Sequence, residues 1–469
     1  MTTSTPLSWA EQELQRADLG DRRLNQRLIQ LVSDVAARPE SSLPQASGTW
    51  AATKAAYRFF DNDRVRPQAI REAHQQATCA RLPDGDGPVL VIQDTTLLDF
   101  TSHRATTGLG HLIHRQHVGL LVHSALLVSS AGVPLGLLHQ HVWARDPKRR
   151  GQRRQRRHRP TAEKESQRWL DTLAATEAAL PADRAILTIA DREADFYDLL
   201  AAPRRPGHHL LLRAKGRRSV RHEARLLAPA LRAQPVAGPH TVCLRRGDDR
   251  PARAAVLTLR YGAFEIQPPA THRQRKTLPP LRVWAVLAEE ENPPPGQKPV
   301  CWLLLSTQPI LTLAEAVQAV QRYTLRWLVE RLHFVLKSGC RIEQLQLGTA
   351  ARLQRALATY SLVAWRLLWL TYQARQQPQA SCAEVFTPVQ WQVLHQAIHP
   401  DQPLPTTPPT LAEAVRQVAR LGGFLARRHD GAPGVQVLWR GLRRLHDLVQ
   451  GYQLTLPAHP QPPPLVGNE

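Results

Sequence analysis

The order of short apolar runs between residues 89 and 213 constrains the fold more than any other feature of this sequence. Candidate strands of four to nine residues alternate with a helical pattern at about 162–179, and a second helix is expected after Asp191. The strands are Val89–Ile92, Leu120–Val128, Leu135–Val142, Ala185–Ala190 and His209–Arg213. Turn residues at 129–134 join the second and third strands into an antiparallel hairpin. The pattern predicts a mixed sheet with helices packed on it.

This order of elements is that of an RNase H-like α/β core, which we expect to span residues 83–375. Residues 216–310 are rich in Pro, Arg and short β-like runs and are predicted to form a β insertion within that core. Residues 1–82 predict a small basic helical domain, in which Arg22, Arg23 and Arg27 lie off the apolar stripe. Residues 376–469 predict a C-terminal helical domain that ends in a disordered Pro-rich tail.

The charge of the chain predicts a polyanionic partner. Its 469 residues include 61 Lys and Arg against 39 Asp and Glu, which gives a formal net charge of +22. Such an excess attracts DNA, RNA or an anionic surface over a long range. A merely basic, soluble surface is the alternative. No export signal, apolar span or CxxC pair is visible, so we expect a cytoplasmic protein with no membrane contact and reduced cysteines.

Two aspartates follow apolar strands and are candidates for a shared site. Asp94 comes shortly after Val89–Ile92, and Asp191 comes directly after Ala185–Ala190. Carboxylates that converge at strand ends repel each other unless a cation neutralises them, and Mg²⁺ or Mn²⁺ prefers such oxygen ligands. Either aspartate taken alone would more often be a turn residue.

A third acid lies on a predicted helix at about 312–338, which begins after Thr312 as a candidate N-cap. At about 100° per residue, Tyr323, Arg326, Glu330 and Lys337 fall on one face, opposite a stripe of apolar residues. A solvated helix face is the alternative, but such faces rarely combine one acid with two bases and a phenol. The pattern predicts a polar stripe on a helix that packs on the sheet.

These motifs resemble those of bacterial insertion-sequence transposases of family four, the transposon-five-like group. The spacing of Tyr323, Arg326, Glu330 and Lys337 is similar to the YREK signature of that family. The segments Asp94–Thr96 and Asp191–Asp195 resemble its first and second catalytic motifs, in the same order. Segments near both ends of the chain also resemble the family, at 19–23, 56–59 and 419–424.

The resemblance implies a DNA transposase of the DDE type. Asp94, Asp191 and Glu330 would be the catalytic residues and would hold two Mg²⁺ ions, with Mn²⁺ as a substitute. The enzyme would nick the transposon end, form a hairpin, open it and transfer the freed strand into target DNA. The partners would be double-stranded DNA, as terminal inverted repeats and target, and a second copy of the chain in a synaptic dimer. The residues implied to contact DNA are Tyr323, Arg326, Lys337, Arg213, Lys215, Trp302 and the end-binding Arg22, Arg23 and Arg27.

Some features depart from the family or leave alternatives open. Phe334 stands where the family example has a further lysine, and the basic loop Lys148–Arg159 is expanded. His111, His114 and His117 form a series that resembles a zinc motif without a fourth ligand, so a polar loop is favoured. A catalytically silent DNA-binding protein or inhibitor of the same descent is one alternative function. An RNase H-like nuclease without strand transfer is the other.

Overall fold

A mixed sheet of ten strands organises the chain. The computed structural model describes residues 7–85, 87–113, 116–147, 159–244, 252–270 and 272–455. The strands are β1 Val89–Asp99, β2 Gly110–His111, β3 Val118–Val128, β4 Pro134–Trp143, β5 Ile186–Ala190, β6 His208–Arg213, β7 Gly238–Leu244, β8 Arg253–Ile266, β9 Leu281–Glu289 and β10 Cys301–Ser306. The prediction of a mixed α/β fold is therefore confirmed.

Parallel pairing is confined to the middle of the sheet. The strand order is β2-β3-β1-β5-β6-β10-β9-β8-β7, and β4 also pairs with β3. β1, β5 and β6 run parallel, and every other pair is antiparallel. The predicted β insertion is continuous with this sheet, because β10 pairs with β6 and the remaining strands follow from it.

Helices flank the sheet and extend beyond it at both ends of the chain. They are α1 Trp9–Leu14, α2 Arg22–Ala37, α3 Leu43–Ser47, α4 Trp50–Asp61, α5 Pro67–Ala80, α6 Gln167–Ala179, α7 Tyr197–Ala201, α8 Leu227–Arg232, α9 Leu313–Thr324, α10 Trp327–Phe334, α11 Ala350–Gln376, α12 Pro388–Ile398, α13 Leu411–Leu421 and α14 Val435–Thr455. Within the described residues, none is long and apolar enough to cross a membrane.

Alternation along the central strands sends side chains into separate cores. Leu187 and Ile189 of β5 join the largest core, which also contains residues of α9, α10 and α11. Leu210 and Leu212 of β6 join a second core, on the opposite face, with residues of α6, α7 and α8. Period-2 burial of this kind requires helices on both faces of the sheet.

The predicted helix at 312–338 is interrupted. It begins as expected, with a capping box in which the side chains of Thr312 and Glu315 bond each other's backbone N–H. α9 ends at Thr324, and the N–H groups of Leu325 and Arg326 bond carbonyls three residues back before α10 begins. After α10, residues Val335–Gly339 form a π turn, with the Cys340 N–H bonded to the Val335 carbonyl. The predicted continuous helix is therefore divided into segments of different pitch.

Candidate active site

Asp94 and Asp191 lie side by side where two parallel strands separate. β1 and β5 pair from Val89 opposite Ile186 to Gln93 opposite Ala190, and each aspartate is the next residue. Asp191 leaves the sheet there, and its Oδ1 accepts the Glu193 N–H at 2.8 Å as the cap of a 3-10 helix. Asp94 stays within β1, because that strand continues to Asp99 against β3. The prediction that Asp94 follows its strand is wrong, but the predicted convergence with Asp191 follows from the register.

The Asp94 carboxyl is held in an environment that opposes its ionisation. Its side chain is 19% exposed. Burial raises its pKa to about 7, with a further contribution from the negative charge of Asp191 and a smaller one from Glu330. The Thr95 backbone N–H and the Arg326 charge oppose this rise. A carboxylate in this position is stabilised by a bound cation.

His333 lies beneath Asp94 without offsetting its charge. The His333 Nδ1 atom is 3.8 Å from Asp94 Oδ2, and its Nε2 is 3.3 Å from the Ser124 hydroxyl. Burial lowers the pKa of His333 to about 3, so the ring is neutral at ordinary pH. The carboxylates must therefore find positive charge elsewhere.

Arg326 supplies part of that charge and separates Glu330 from the aspartates. Glu330 projects from α10, is 49% exposed, and places Oε1 at 2.5 Å from Arg326 Nη2. The Arg326 charge acts on Asp94 as well. Across the described ranges, no group of three or more His, Cys, Asp or Glu side chains is close enough to hold a metal ion. The structure thus brings the three acids into electrostatic contact without assembling a closed ligand set.

The donor set nevertheless fits a hard divalent cation. Asp94 and Asp191 offer adjacent carboxylate oxygens, the ligand type that Mg²⁺ and Mn²⁺ prefer. Glu330 could join them only by breaking its ion pair with Arg326, and its half-exposed side chain is not packed on all sides. Asp94 and Asp191 are accordingly the residues that could hold an ion, and Glu330 is near enough for its charge to act on Asp94.

Tyr323 lies next to the carboxylates but is not part of an exposed stripe. It is 4% exposed, and its ring is 5.8 Å from the Trp302 ring in an edge-to-face contact. The Arg326 guanidinium carbon lies 5.8 Å from the same ring. Burial raises the pKa of Tyr323, while Arg326 and Arg213 oppose the rise. Tyr323, Trp302, Arg326 and Arg213 therefore form one cluster, and the Asp191 charge acts on Tyr323 within it.

Arg213 ends β6 within this cluster. Its Nη2 donates to the Cys301 carbonyl at 3.1 Å, and its Nε has no hydrogen-bond partner among the described residues. Burial lowers its pKa, although the nearby Tyr323 opposes the change. A guanidinium with an unused, buried donor is suited to bind an additional acceptor.

The two lysines predicted to contact DNA lie against residues other than the three candidate metal ligands. Lys215 is exposed, and its Nζ donates to the Asp195 carbonyl at 3.1 Å. Lys337 lies in the π turn, with Nζ 3.8 Å from Glu343 Oε1. Glu330 lies in α10 and Lys337 in the π turn that follows it, so the two residues belong to segments of different helical pitch.

Arg22, Arg23 and Arg27 lie on α2, as predicted. Arg22 and Arg23 are exposed and Arg27 is half-buried, while the opposite face of α2 packs Leu28, Leu31, Val32 and Val35 into the core. Asp21 caps the helix by accepting the Arg23 N–H at 2.8 Å. The helix presents two arginines to solvent at its beginning.

Some predictions fall wholly or partly outside the described residues. Residues 148–158 of the basic loop, His114 of the histidine series and residues 456–469 of the Pro-rich tail belong to this group. Of the two remaining histidines in the series, His117 bonds Asp99 through Nδ1 at 2.5 Å. That contact agrees with a polar loop.

Sequence reasoning missed three polar residues that support the site. His333, His123 and Arg168 lie within hydrogen-bonding or ion-pair distance of Asp94 or of residues next to it. His333 is three residues after Glu330 on the helix already singled out, which was an available signal. No spacing pattern pointed to His123 or Arg168.

Two family models match this chain at its two ends. The transposase DNA-binding family matches residues 6–65, and the transposase Tn5 dimerisation domain matches residues 362–456. Both models describe domains of transposases, and they flank the mixed α/β core. The two matches support a member of the Tn5-like transposase family, with DNA and a second copy of the chain as its partners. The matches lie near the predicted domains 1–82 and 376–469, whose boundaries stay predictions.

Proposed function

We propose that this transposase cleaves DNA at transposon ends and joins the freed strand to target DNA, using Asp94, Asp191 and Glu330. The observation that carries the proposal is the register of β1 and β5, which makes Asp94 and Asp191 neighbours below the helix that bears Glu330. The like-charge effect of Asp191 and Glu330 on the pKa of Asp94 supports a shared site. The reaction would run through a nick, a hairpin, hairpin opening and strand transfer.

The core that carries these residues is proposed to be RNase H-like. The strand order β4-β3-β1-β5-β6, with antiparallel pairing in the first three and parallel pairing in the rest, supports this assignment. Helices on both faces support it as well. In this arrangement the acids lie at the carboxyl edge of the parallel strands.

Some of these residues would bind metal ions, and another would bind a phosphate of the DNA. Asp94, Asp191 and, after rotation, Glu330 would hold two Mg²⁺ ions. When bound, such ions lower the pKa of an attacking water or hydroxyl and stabilise the leaving oxygen. Arg326, once released from Glu330, would bind a phosphate beside the scissile bond, since guanidinium groups pair well with phosphate oxygens.

The neighbouring cluster would hold the DNA strand. Arg213 has a buried unused donor for a phosphate oxygen, and Tyr323 and Trp302 present aromatic rings at the same place. Stacking of a displaced base on Trp302 is physically reasonable, because the ring is only half-buried. Lys215 and Lys337 would contact more distant phosphates, and Arg22, Arg23 and Arg27 would bind the inverted repeat.

The test is cleavage of a labelled duplex that carries the element's own end, with Mg²⁺, with Mn²⁺ and with EDTA. Wild-type protein should nick the duplex and form a hairpin with either metal. Asp191→Ala and Glu330→Ala should bind the duplex as wild type does but give no product. Tight binding by wild type with no cleavage under any metal would support a silent DNA-binding protein. Cleavage without joining to target DNA would support a plain nuclease.

A further inference from the structure

Arg168, on α6, bonds three separate parts of the chain beside the proposed site. Its Nε donates to Thr95 Oγ1 at 3.0 Å, and its Nη2 donates to Glu193 Oε2 at 2.7 Å. Its Nη1 donates to the Glu165 carbonyl at 2.6 Å. The side chain is 10% exposed. Thr95 follows Asp94 directly and Glu193 follows Asp191 by two residues, so one guanidinium connects both aspartate segments.

The bond to Thr95 continues as a chain with a defined direction. A guanidinium only donates, so the Thr95 oxygen is the acceptor and its own hydrogen is left for His123 Nδ1, 2.9 Å away. Burial, with a further contribution from the Arg168 charge, holds the pKa of His123 well below its usual value, so the ring is neutral and can accept. The ring hydrogen of His123 is therefore on Nε2, which donates it to Gln93 Oε1 at 3.3 Å.

This series of hydrogen bonds holds β1 on both sides of Asp94. Gln93 and Thr95 precede and follow Asp94, and side chains alternate along a strand, so both point to the face opposite Asp94. Gln93 and His123 are almost fully buried, where hydrogen bonds have few competing partners. The backbone that carries Asp94 is thereby tied to α6 and β3.

We propose that Arg168 is a positioning residue that fixes Asp94 and Asp191 relative to each other, through Thr95 on one side and Glu193 on the other. The inference rests on the proposed function, in which these aspartates hold the metal ions. Removing a residue that is hydrogen-bonded to a metal ligand, and so orients it, typically lowers metal affinity or activity by about 10- to 100-fold. The Arg168 guanidinium also lies over the rings of Trp143 and Trp169, with guanidinium carbon to ring distances of 5.6 and 5.5 Å.

The test compares Arg168→Met, Thr95→Val and the double variant in the full chain, with Arg232→Gln as control. Methionine keeps a long unbranched side chain without the guanidinium, and valine keeps the shape of threonine. Single-turnover cleavage of prebound end duplex should slow about 10- to 100-fold in Arg168→Met. The double variant should be no slower than Arg168→Met, because both changes break the same chain. Melting temperature and duplex affinity should match those of the control.

Amide hydrogen exchange gives a reading that does not need catalysis. Arg168→Met should speed exchange in peptides covering 89–99 and 191–195, and Thr95→Val should do so only in 89–99. Unchanged exchange in both segments would overturn the inference, as would a melting-temperature loss with faster exchange throughout the chain. If exchange responds as expected but wild type never cleaves, the positioning role survives and the proposed function fails.

Discussion

Polar residues are buried in the half of the sheet formed by β1 and β3, whereas β8 and β9 bury only apolar ones. Gln93, His123 and Ser124 are 0 to 1% exposed, although burying polar groups costs free energy unless each is hydrogen-bonded. Every buried residue of β8 and β9 is apolar. One ion pair at the surface of that second half joins Arg232 to Glu289 at 2.7 Å. The difference shows where the fold carries polar groups for a purpose other than stability.

The largest effect on stability is expected at Asp94. Because its pKa rises from 3.8 to about 7, the folded state binds the proton more tightly than the unfolded state. Its penalty on folding is therefore absent at pH values below 3.8, grows as the pH rises, and is complete above pH 7, where it reaches about 4 kcal/mol. Asp94→Asn should remove this penalty from the metal-free protein while abolishing cleavage.

Urea unfolding in EDTA at pH 5 and pH 8 measures this effect. The advantage of Asp94→Asn over wild type should be larger at pH 8, and added Mg²⁺ should stabilise wild type alone. An equal difference at both pH values would show that Asp94 is not held in an unfavourable environment. The contrast between the two halves of the sheet would then lose its main support.

Leu287→Ala tests the apolar half. Leu287 is fully buried in β9, and truncating such a leucine costs about 3 kcal/mol through lost contacts and a residual cavity. The urea midpoint should fall, yet the rate of cleavage at temperatures where the variant is folded should match wild type. A slower cleavage rate in the folded variant would mean that the insertion strands also shape the site.

Arg232→Gln should have the smallest effect. The Arg232 side chain is 52% exposed, and exposed ion pairs of this kind contribute less than about 1 kcal/mol. The pKa of Glu289 is lowered mainly by its hydrogen bond with Arg232, so that pKa should return toward its ordinary value in the variant. Unfolding curves and the titration of Glu289 measure the two expectations, and a loss above 2 kcal/mol would contradict the first.

Apolar patterning predicted the central strands because buried strands contain runs of Val, Leu and Ile that are visible in the sequence. It stopped β1 at Ile92, whereas the strand continues to Asp99, because Gln93, Asp94 and Thr95 are polar and carry no such signal. α12 was missed although Thr387 and Gln390 form a capping box at its start and Pro388 is its first residue.

The site was less predictable than the strands. Spacing singled out Glu330 and Arg326 together with Tyr323, but it assumed one continuous helix. The structure interrupts that helix twice and buries Tyr323. The bonds of Arg168 join segments 73 and 25 residues away in sequence, at Thr95 and Glu193. Such contacts depend on the assembled fold, and no local pattern encodes them.

The 27-residue helix α11 is anchored at one end to the N-terminal region and at the other to the C-terminal region. Near its beginning Arg355 donates to the carbonyls of Phe60 and Val65, and near its end Arg375 donates to the Pro433 carbonyl. At 1.5 Å per residue these anchors are about 30 Å apart along the helix axis. Inserting one residue between them would rotate the C-terminal helices by about 100° relative to the N-terminal ones. A change in the length of α11 would therefore require both neighbouring regions to adapt together.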